Sequence, residues 1–121
     1  MFLKAWYNRG VVNAALGNTE EALADYDKAI ELDPEYPSAY YSRGNLRRKL
    51  RDFDGAVEDY SRAIELKDDH AEALTNRADL MKMTGKVAEA IRDYKEALKV
   101  APPVWSYRKK VEELVRQLQR Q

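Results

Sequence analysis

Ala5-Trp6-Tyr7-Asn8-Arg9-Gly10 returns 34 residues later as Ala39-Tyr40-Tyr41-Ser42-Arg43-Gly44, and after the same interval as Ala73-Leu74-Thr75-Asn76-Arg77-Ala78. The register holds through the rest of each unit, where four further columns align: Ala22, Ala56 and Ala90; Asp25, Asp59 and Asp93; Tyr26, Tyr60 and Tyr94; Ala29, Ala63 and Ala97. A fixed period of roughly 20 to 50 residues indicates stacked units, each of which buries its apolar face on its neighbours. The sequence therefore predicts three 34-residue repeats, at 3–36, 37–70 and 71–104.

The composition narrows the class of protein. The 121 residues are enough for one domain, and the 21 Lys and Arg balance the 21 Asp and Glu, so no net field favours nucleic acid or an acidic membrane. Cysteine is absent, which excludes disulfides and thiolate metal sites. No apolar run reaches the roughly 20 residues of a membrane span, and the N-terminus turns polar too soon for a signal peptide. We expect a cytoplasmic protein, although a repeat that starts at residue 3 leaves open that the chain is a fragment.

Apolar residues recur at helical spacing twice in each repeat, which predicts a pair of helices joined by a short turn. Gly17 predicts the end of the first helix, and Asn18 with Glu21 predicts a capping box at the start of the next helix. Asp69 with Glu72 supplies a similar box in the third repeat. Arg51 stands where the other repeats have glycine, so we expect a strained turn there. The pattern predicts an all-α fold with helices near 4–16, 19–32, 37–49, 53–66, 70–83, 87–100 and 104–119, the last of them a capping helix.

The columns together resemble the tetratricopeptide repeat (TPR) family, whose pattern runs aromatic, small residue, alanine, aromatic, alanine and proline over 34 residues. The resemblance covers the three repeats and the capping helix. It implies antiparallel helix pairs in a right-handed superhelix, with a concave groove lined by the first helix of each pair. It further implies a non-enzymatic scaffold that binds an extended peptide or a partner helix in that groove.

One subset of the family holds the terminal carboxylate of chaperone peptides with Lys, Asn and Arg side chains. The matching positions here are Tyr7, Val11, Ser42, Glu72 and Asn76. These side chains lack almost all of the cationic and amide donors of that clamp. The sequence therefore predicts a groove that does not bind chaperone tails in this way.

The resemblance places a set of polar and aromatic side chains on the concave face. Asn8, Ser42 and Asn76 form a ladder of small polar groups suited to a peptide backbone, and Tyr7 and Tyr41 offer rigid area with a polar tip. The alternative interpretation is that these side chains are ordinary solvent-exposed residues with no ligand. The predicted groove residues are Tyr7, Asn8, Val11, Tyr41, Ser42, Asn45, Arg48, Lys49, Asn76, Asp79 and Lys82.

The repeated Asp and Arg columns predict ion pairs that join successive repeats. Arg43 and Arg77 each follow an aspartate of the preceding repeat by 18 residues, Arg108 follows Asp93 by 15, and a fork-like pair would bridge each boundary. The predicted pairs are Asp25–Arg43, Asp59–Arg77 and Asp93–Arg108. Arg9 has no preceding aspartate and is left over in this scheme.

Other functions have weaker signals. Arg47-Arg48-Lys49-Leu50-Arg51 is a basic stretch, but acidic residues follow it at once and the net charge is zero, so a solvated helix end is favoured over RNA binding. His70 is the single histidine, and no metal, cofactor or catalytic motif accompanies it. Phe2, Leu3, Ala5 and Val12 would face a preceding unit, which favours self-assembly through this N-terminal edge as the main alternative function.

Overall fold

The computed structural model describes all residues from 1 to 121 and contains seven α helices and no strand. The helices are α1 (Leu3–Ala15), α2 (Thr19–Leu32), α3 (Pro37–Lys49), α4 (Phe53–Leu66), α5 (Ala71–Met83), α6 (Val87–Val100) and α7 (Arg108–Gln119). The predicted all-α fold, with three helical hairpins and a last single helix, is confirmed. Six of the seven predicted helices agree with the structure within one residue at each end.

The chain forms two compact units. The first unit spans Met1–Leu66 and contains α1 to α4, and the second spans Lys67–Gln121 and contains α5 to α7. In the first unit, α1 packs on α2, α2 on α3 and α3 on α4. In the second, α6 packs on both α5 and α7.

Each hairpin closes around a small residue in its first helix and a tyrosine in its second. A Cβ atom added at Gly10 would lie 2.7 Å from a ring carbon of Tyr26, and one at Gly44 would lie 2.9 Å from Tyr60. The third hairpin has Ala78 in this column, and it is buried in the same cluster as Tyr94. The large tyrosine therefore fills the space that the small residue leaves.

The turns inside the hairpins need a left-handed residue. Gly17 and Gly85 have φ angles of 81° and 82°, and Arg51 takes the equivalent place with φ of 66°. The predicted strained turn is therefore present, since a side chain costs about 1–2 kcal/mol in this region. The guanidinium of Arg51 lies 5.3 Å from the centre of the Phe53 ring, a cation–π contact at the start of α4.

The predicted ion pairs between successive repeats are wrong, because each buried aspartate is bound by the arginine of its own hairpin. Asp25 accepts hydrogen bonds from Nε and Nη2 of Arg9, the closest at 2.7 Å. Arg43 binds Asp59 at 2.8 and 3.0 Å, and Arg77 binds Asp93 at 2.7 and 2.9 Å. The spacing of 16 residues places arginine on the first helix opposite aspartate on the second, so Arg9 is not left over.

The capping helix begins four residues later than predicted, at Arg108. The side chain of Arg108 does not bind Asp93 but donates to the carbonyl oxygens of Leu98, Ala101 and Pro102, at 3.0 to 3.4 Å. These contacts hold the segment after α6 in a non-helical path. From there α7 covers α6, with Val111, Val115 and Leu118 buried in one cluster with Ala90 and Tyr94.

The two predicted capping boxes are wrong in detail. The amide of Asn18 makes no side-chain cap bond to α2 and instead donates to Asn13 at 3.4 Å. The N-cap of α5 is His70, whose Nδ1 accepts from the backbone N–H of Ala73 at 3.3 Å. The lone histidine therefore has a structural role that the sequence did not reveal.

Candidate peptide-binding groove

A groove of about 600 Å³ lies in the first unit, between side chains of α1, α2 and α3. Its walls combine aromatic, aliphatic, amide, hydroxyl and cationic groups, which suits a ligand with both apolar and polar parts. The lining residues are Tyr7, Val11, Ala14, Tyr26, Ser42, Asn45, Leu46, Arg48 and Lys49.

The aromatic part of the groove is held in place by its own contacts. The ring of Tyr7 packs edge-on against Tyr36, with centroids 5.3 Å apart, and lies 6.0 Å from the ring of Tyr26. Its hydroxyl shares a hydrogen bond of 3.0 Å with Oγ of Ser42. Burial raises the pKa of Tyr26 and of Tyr36 above the ordinary tyrosine value. The groove therefore presents the preformed aromatic surface of Tyr7, whose hydroxyl is bonded to Ser42.

The polar part is fixed by contacts with the second helices. Oδ1 of Asn45 accepts from the hydroxyl of Tyr60 at 2.6 Å, which sets the direction of the amide group. In the second unit, the carboxylate of Asp79 accepts from the hydroxyl of Tyr94 in the same way. Val11 occupies this column in the first repeat and cannot accept a hydrogen bond, so that repeat has an apolar side chain at the groove.

The basic stretch at the end of α3 divides into two pairs. Arg47 binds Asp59 at 3.1 Å, and Arg51 stacks on Phe53, so these two cations serve the fold. Arg48 and Lys49 line the groove. The concentrated charge that the sequence shows is therefore not one continuous surface for a polyanion.

The structure brings together six of the predicted groove residues, Tyr7, Val11, Ser42, Asn45, Arg48 and Lys49. The other two of the first unit lie outside the lining: Asn8 is exposed, and the ring of Tyr41 is half-buried 6.0 Å from that of Tyr60. The remaining three are half-buried on α5 in the second unit: Asn76, Asp79 and Lys82.

The sequence did not predict three of the lining residues: Ala14, Tyr26 and Leu46. Tyr26 belongs to a repeated column, and its ring fills the space beside Gly10. Its ring nevertheless also reaches the groove. The column pattern could not separate these two roles, because one side chain has both.

Other kinds of site find no support in the described residues. No group of three or more His, Cys, Asp or Glu side chains is placed to hold a metal ion. None of the seven helices combines the length and the apolar character that crossing a bilayer requires.

Hairpins of two helices, closed by small residues and repeated at a fixed interval, define a helical-repeat protein. The family model for the tetratricopeptide repeat matches residues 3–36, 37–70 and 71–103, almost the whole length. The chain belongs to the tetratricopeptide repeat family.

Individual relatives are similar over very different extents. The chain is 58% identical over 33 residues to a human protein described as FK506-binding protein-like, a match that covers 27% of this chain and 10% of that protein. The P58(IPK) TPR domain is 27% identical with a TM-score of 0.91, over 98% of this chain and 33% of that one. The chain thus spans about a tenth of that human relative and a third of P58(IPK).

Two similar solved structures contain a bound peptide. The first TPR of Spaghetti (RPAP3), bound to the HSP90 peptide SRMEEVD, is 22% identical with a TM-score of 0.85, over 98% of this chain and 90% of that one. The Yersinia enterocolitica type III secretion chaperone SycD, in complex with a peptide of the translocator YopD, is 17% identical with a TM-score of 0.88. That match covers 97% of this chain and 92% of SycD. At these identities the likeness establishes the fold alone.

Proposed function

We propose that this chain is a non-enzymatic protein-interaction module that binds an extended peptide or a partner helix in the groove between α1 and α3. The groove of about 600 Å³, with its fixed tyrosines and its polar rim, is the observation that carries the proposal. Its partner is a cytoplasmic protein or peptide, and no cofactor takes part.

The lining predicts how a peptide would be held. Tyr7 offers apolar area with few rotamers to fix, so it is suited to an apolar side chain of the ligand, and the buried ring of Tyr26 packs beside it. The Ser42 hydroxyl shares one hydrogen bond with Tyr7 and keeps a lone pair that can accept from a peptide N–H, and peptide amides need such partners when they lose water. Arg48 and Lys49 favour a ligand that carries an acidic group at that end of the groove.

The proposed mode does not use the chaperone-type carboxylate clamp. At the matching positions of the first unit, Val11 has no donor, and the hydroxyls of Tyr7 and Ser42 are bonded to each other. Glu72, at a further matching position, carries the opposite charge to a clamp lysine. The HSP90 peptide in Spaghetti (RPAP3) and the translocator peptide in SycD support peptide binding by this fold, but not a shared ligand.

Two neighbouring valines provide a matched test. Val11 lines the groove with 41% of its surface exposed, and Val12 is exposed on another face of the same helix. Peptides selected from a random display library on the wild-type chain would be measured by calorimetry against Val11→Asp and Val12→Asp. We expect Val11→Asp to weaken binding at least tenfold and Val12→Asp to leave it within twofold. Selected peptides that bind both variants like the wild type would refute the groove.

The clamp is tested separately with the peptide SRMEEVD, as the free acid and as the C-terminal amide. A clamp requires the terminal carboxylate, so it would bind the free acid far more tightly. We expect the two forms to bind equally weakly. A preference of tenfold or more for the free acid would contradict the clamp-free mode without affecting the groove itself.

Nucleic-acid binding has less support as a function. Arg47 of the basic stretch is paired with Asp59 within the fold, and the net charge of the chain is zero. Binding of a single-stranded RNA that weakens steeply with salt, and that is lost when Arg48 and Lys49 are replaced, would favour this alternative.

A further inference from the structure

One column of the repeat differs between the hairpins and changes the surroundings of a tyrosine hydroxyl. The column consists of Val11, Asn45 and Asp79, each on the first helix of its hairpin. In the second hairpin the hydroxyl of Tyr60 donates to Oδ1 of Asn45 at 2.6 Å. In the third, the carboxylate of Asp79 accepts from Tyr94. Val11 cannot accept a hydrogen bond, so the first hairpin has no such acceptor for the tyrosine of its second helix.

That tyrosine, Tyr26, contributes its hydroxyl to the groove instead. The residue is 2% exposed and is one of those that line the groove. Its hydroxyl lies beside those of Tyr7 and Ser42, which share a hydrogen bond of 3.0 Å. We call Tyr7, Tyr26 and Ser42 the hydroxyl cluster. It brings together one side chain each from α1, α2 and α3.

The hydrogen bonds within the hydroxyl cluster leave one donor over. Each hydroxyl has one hydrogen to donate and two lone pairs to accept with. Three hydroxyls joined in a chain use two of their three hydrogens in the bonds between them. No carbonyl or carboxylate oxygen belongs to the cluster, so the third O–H needs an acceptor from outside it. Tyr60 and Tyr94, by contrast, donate to oxygen atoms of the fold itself.

We propose that the hydroxyl cluster binds the side-chain carboxamide of an Asn or Gln residue of the peptide, an assignment that rests on the groove proposed above. The carboxamide oxygen accepts the remaining O–H, and its NH2 group donates to a hydroxyl lone pair. A main-chain carbonyl offers the acceptor without a donor beside it. The carboxamide therefore matches both functions of the hydroxyls at one place.

A carboxylate is a poorer match for the hydroxyl cluster. It has acceptors only, and it would lose water at a place where the cluster offers no positive charge. The nearest cation of the groove in the sequence of α3 is Arg48, six residues beyond Ser42, which is about 9 Å along the helix axis. An acidic group of the ligand thus has a separate place, next to Arg48 and Lys49.

The probes are the peptides selected on the wild-type chain from a random display library. We expect the selected peptides to share Asn or Gln at one position. For a peptide with Gln there, two matched probes carry Met or Glu instead, which are close to Gln in length. Calorimetry on the wild-type chain should show that either change weakens binding about tenfold, because a hydrogen-bonding group is left without its partner.

Tyr26→Phe tests the donor, because it removes the hydroxyl and keeps the ring that packs beside Gly10. We expect the Gln peptide to bind about tenfold more weakly and the Met peptide to change by less than about twofold. Tyr94→Phe is the matched control, since its hydroxyl serves Asp79 in the second unit. It should leave peptide affinity within about twofold and lower the melting temperature by about 5 °C, whereas Tyr26→Phe should melt closer to the wild type.

The failure of this site and the failure of the groove give different results. If Val11→Asp weakens peptide binding and Tyr26→Phe does not, the groove stands and the hydroxyl cluster is not a site. If neither change weakens binding, both proposals are refuted. Selected peptides without a shared Asn or Gln, a Glu peptide that binds as tightly as the Gln peptide, or an equal loss from Gln to Met in the wild type and in Tyr26→Phe would each overturn the carboxamide assignment.

Discussion

The three buried aspartates differ in how many cations they contact, and this difference predicts unequal losses of stability. Asp59 is bound by two arginines, Arg43 and Arg47. Asp93 is bound by Arg77, and the residue in the Arg47 column of its repeat is Met81, which has no donor. Removal of one arginine therefore leaves Asp59 paired and Asp93 buried without a counter-charge.

The magnitudes follow from that contrast. Arg77→Met should lower the free energy of unfolding by about 3–5 kcal/mol, the usual cost of breaking a buried pair on one side. Arg43→Met removes two charge-assisted hydrogen bonds but leaves Nη1 of Arg47 at 3.1 Å from Asp59, so we expect about 2 kcal/mol. Its lost contact with the exposed Asp27 adds below ~1 kcal/mol. A gap of about 2 kcal/mol is roughly thirtyfold in the unfolding equilibrium.

The assay is urea unfolding at pH 7, with amide hydrogen exchange to assign the loss to the correct hairpin, since repeat arrays need not unfold in one step. The control is the double variant Arg77→Met with Asp93→Leu, which removes the orphaned charge and should regain most of the loss. If Arg43→Met proves as costly as Arg77→Met, or the double variant is no better than the single one, the reasoning from partner number fails.

Two further predictions concern local backbone and cap geometry. Arg51→Gly should be about 1 kcal/mol more stable in thermal unfolding than Arg51→Ala, because both lose the contact with Phe53 and only glycine relieves the positive φ of 66°; equal melting would refute the strain. His70 accepts a backbone hydrogen bond through Nδ1, and burial lowers its pKa in the folded chain. As the pH falls, His70 is therefore protonated in the unfolded chain at a higher pH than in the folded chain. The cap contributes about 1 kcal/mol to the free energy of unfolding. This contribution should be fully present above pH 6.5 or so and should be lost as the pH falls through the lowered folded-state pKa of His70. His70→Asn should abolish this pH dependence of stability, and a pH dependence that persists in the variant would assign it to another group.

The sequence predicted most of the fold because the signal is repeated. The columns of Gly10, Ala22 and Tyr26 recur with the same spacing, so the hairpins and nearly all their boundaries follow from periodicity. The start of α7 could not be predicted in this way. It depends on contacts of Arg108 with backbone carbonyls, which leave no trace in a pattern of side-chain types.

The partners of the arginines show the limit of periodic reasoning. An arginine that follows one aspartate by 18 residues also precedes the next by 16, and both intervals recur with the repeat. The period therefore contains no information about which pair forms. The groove met a similar limit: Tyr26 and Leu46 are almost fully buried and pack inside the first unit, so the pattern gave no sign that they also line the groove.

The placement of each buried ion pair within one hairpin bears on how such chains can lengthen. A hairpin that contains both the arginine and the aspartate is electrostatically complete, so a tandem duplication adds a unit without creating a buried charge that lacks a counter-ion. An array whose buried pairs crossed every boundary would instead have an unpaired charge on its first and on its last unit, whatever its length. The bond of Arg43 to Asp27 does cross a boundary, but Asp27 is well exposed, and its loss would cost little. Gain or loss of a whole repeat therefore leaves no buried charge unpaired in this fold. The groove-facing side chains of a duplicated repeat can then diverge without disturbing the buried ion pairs.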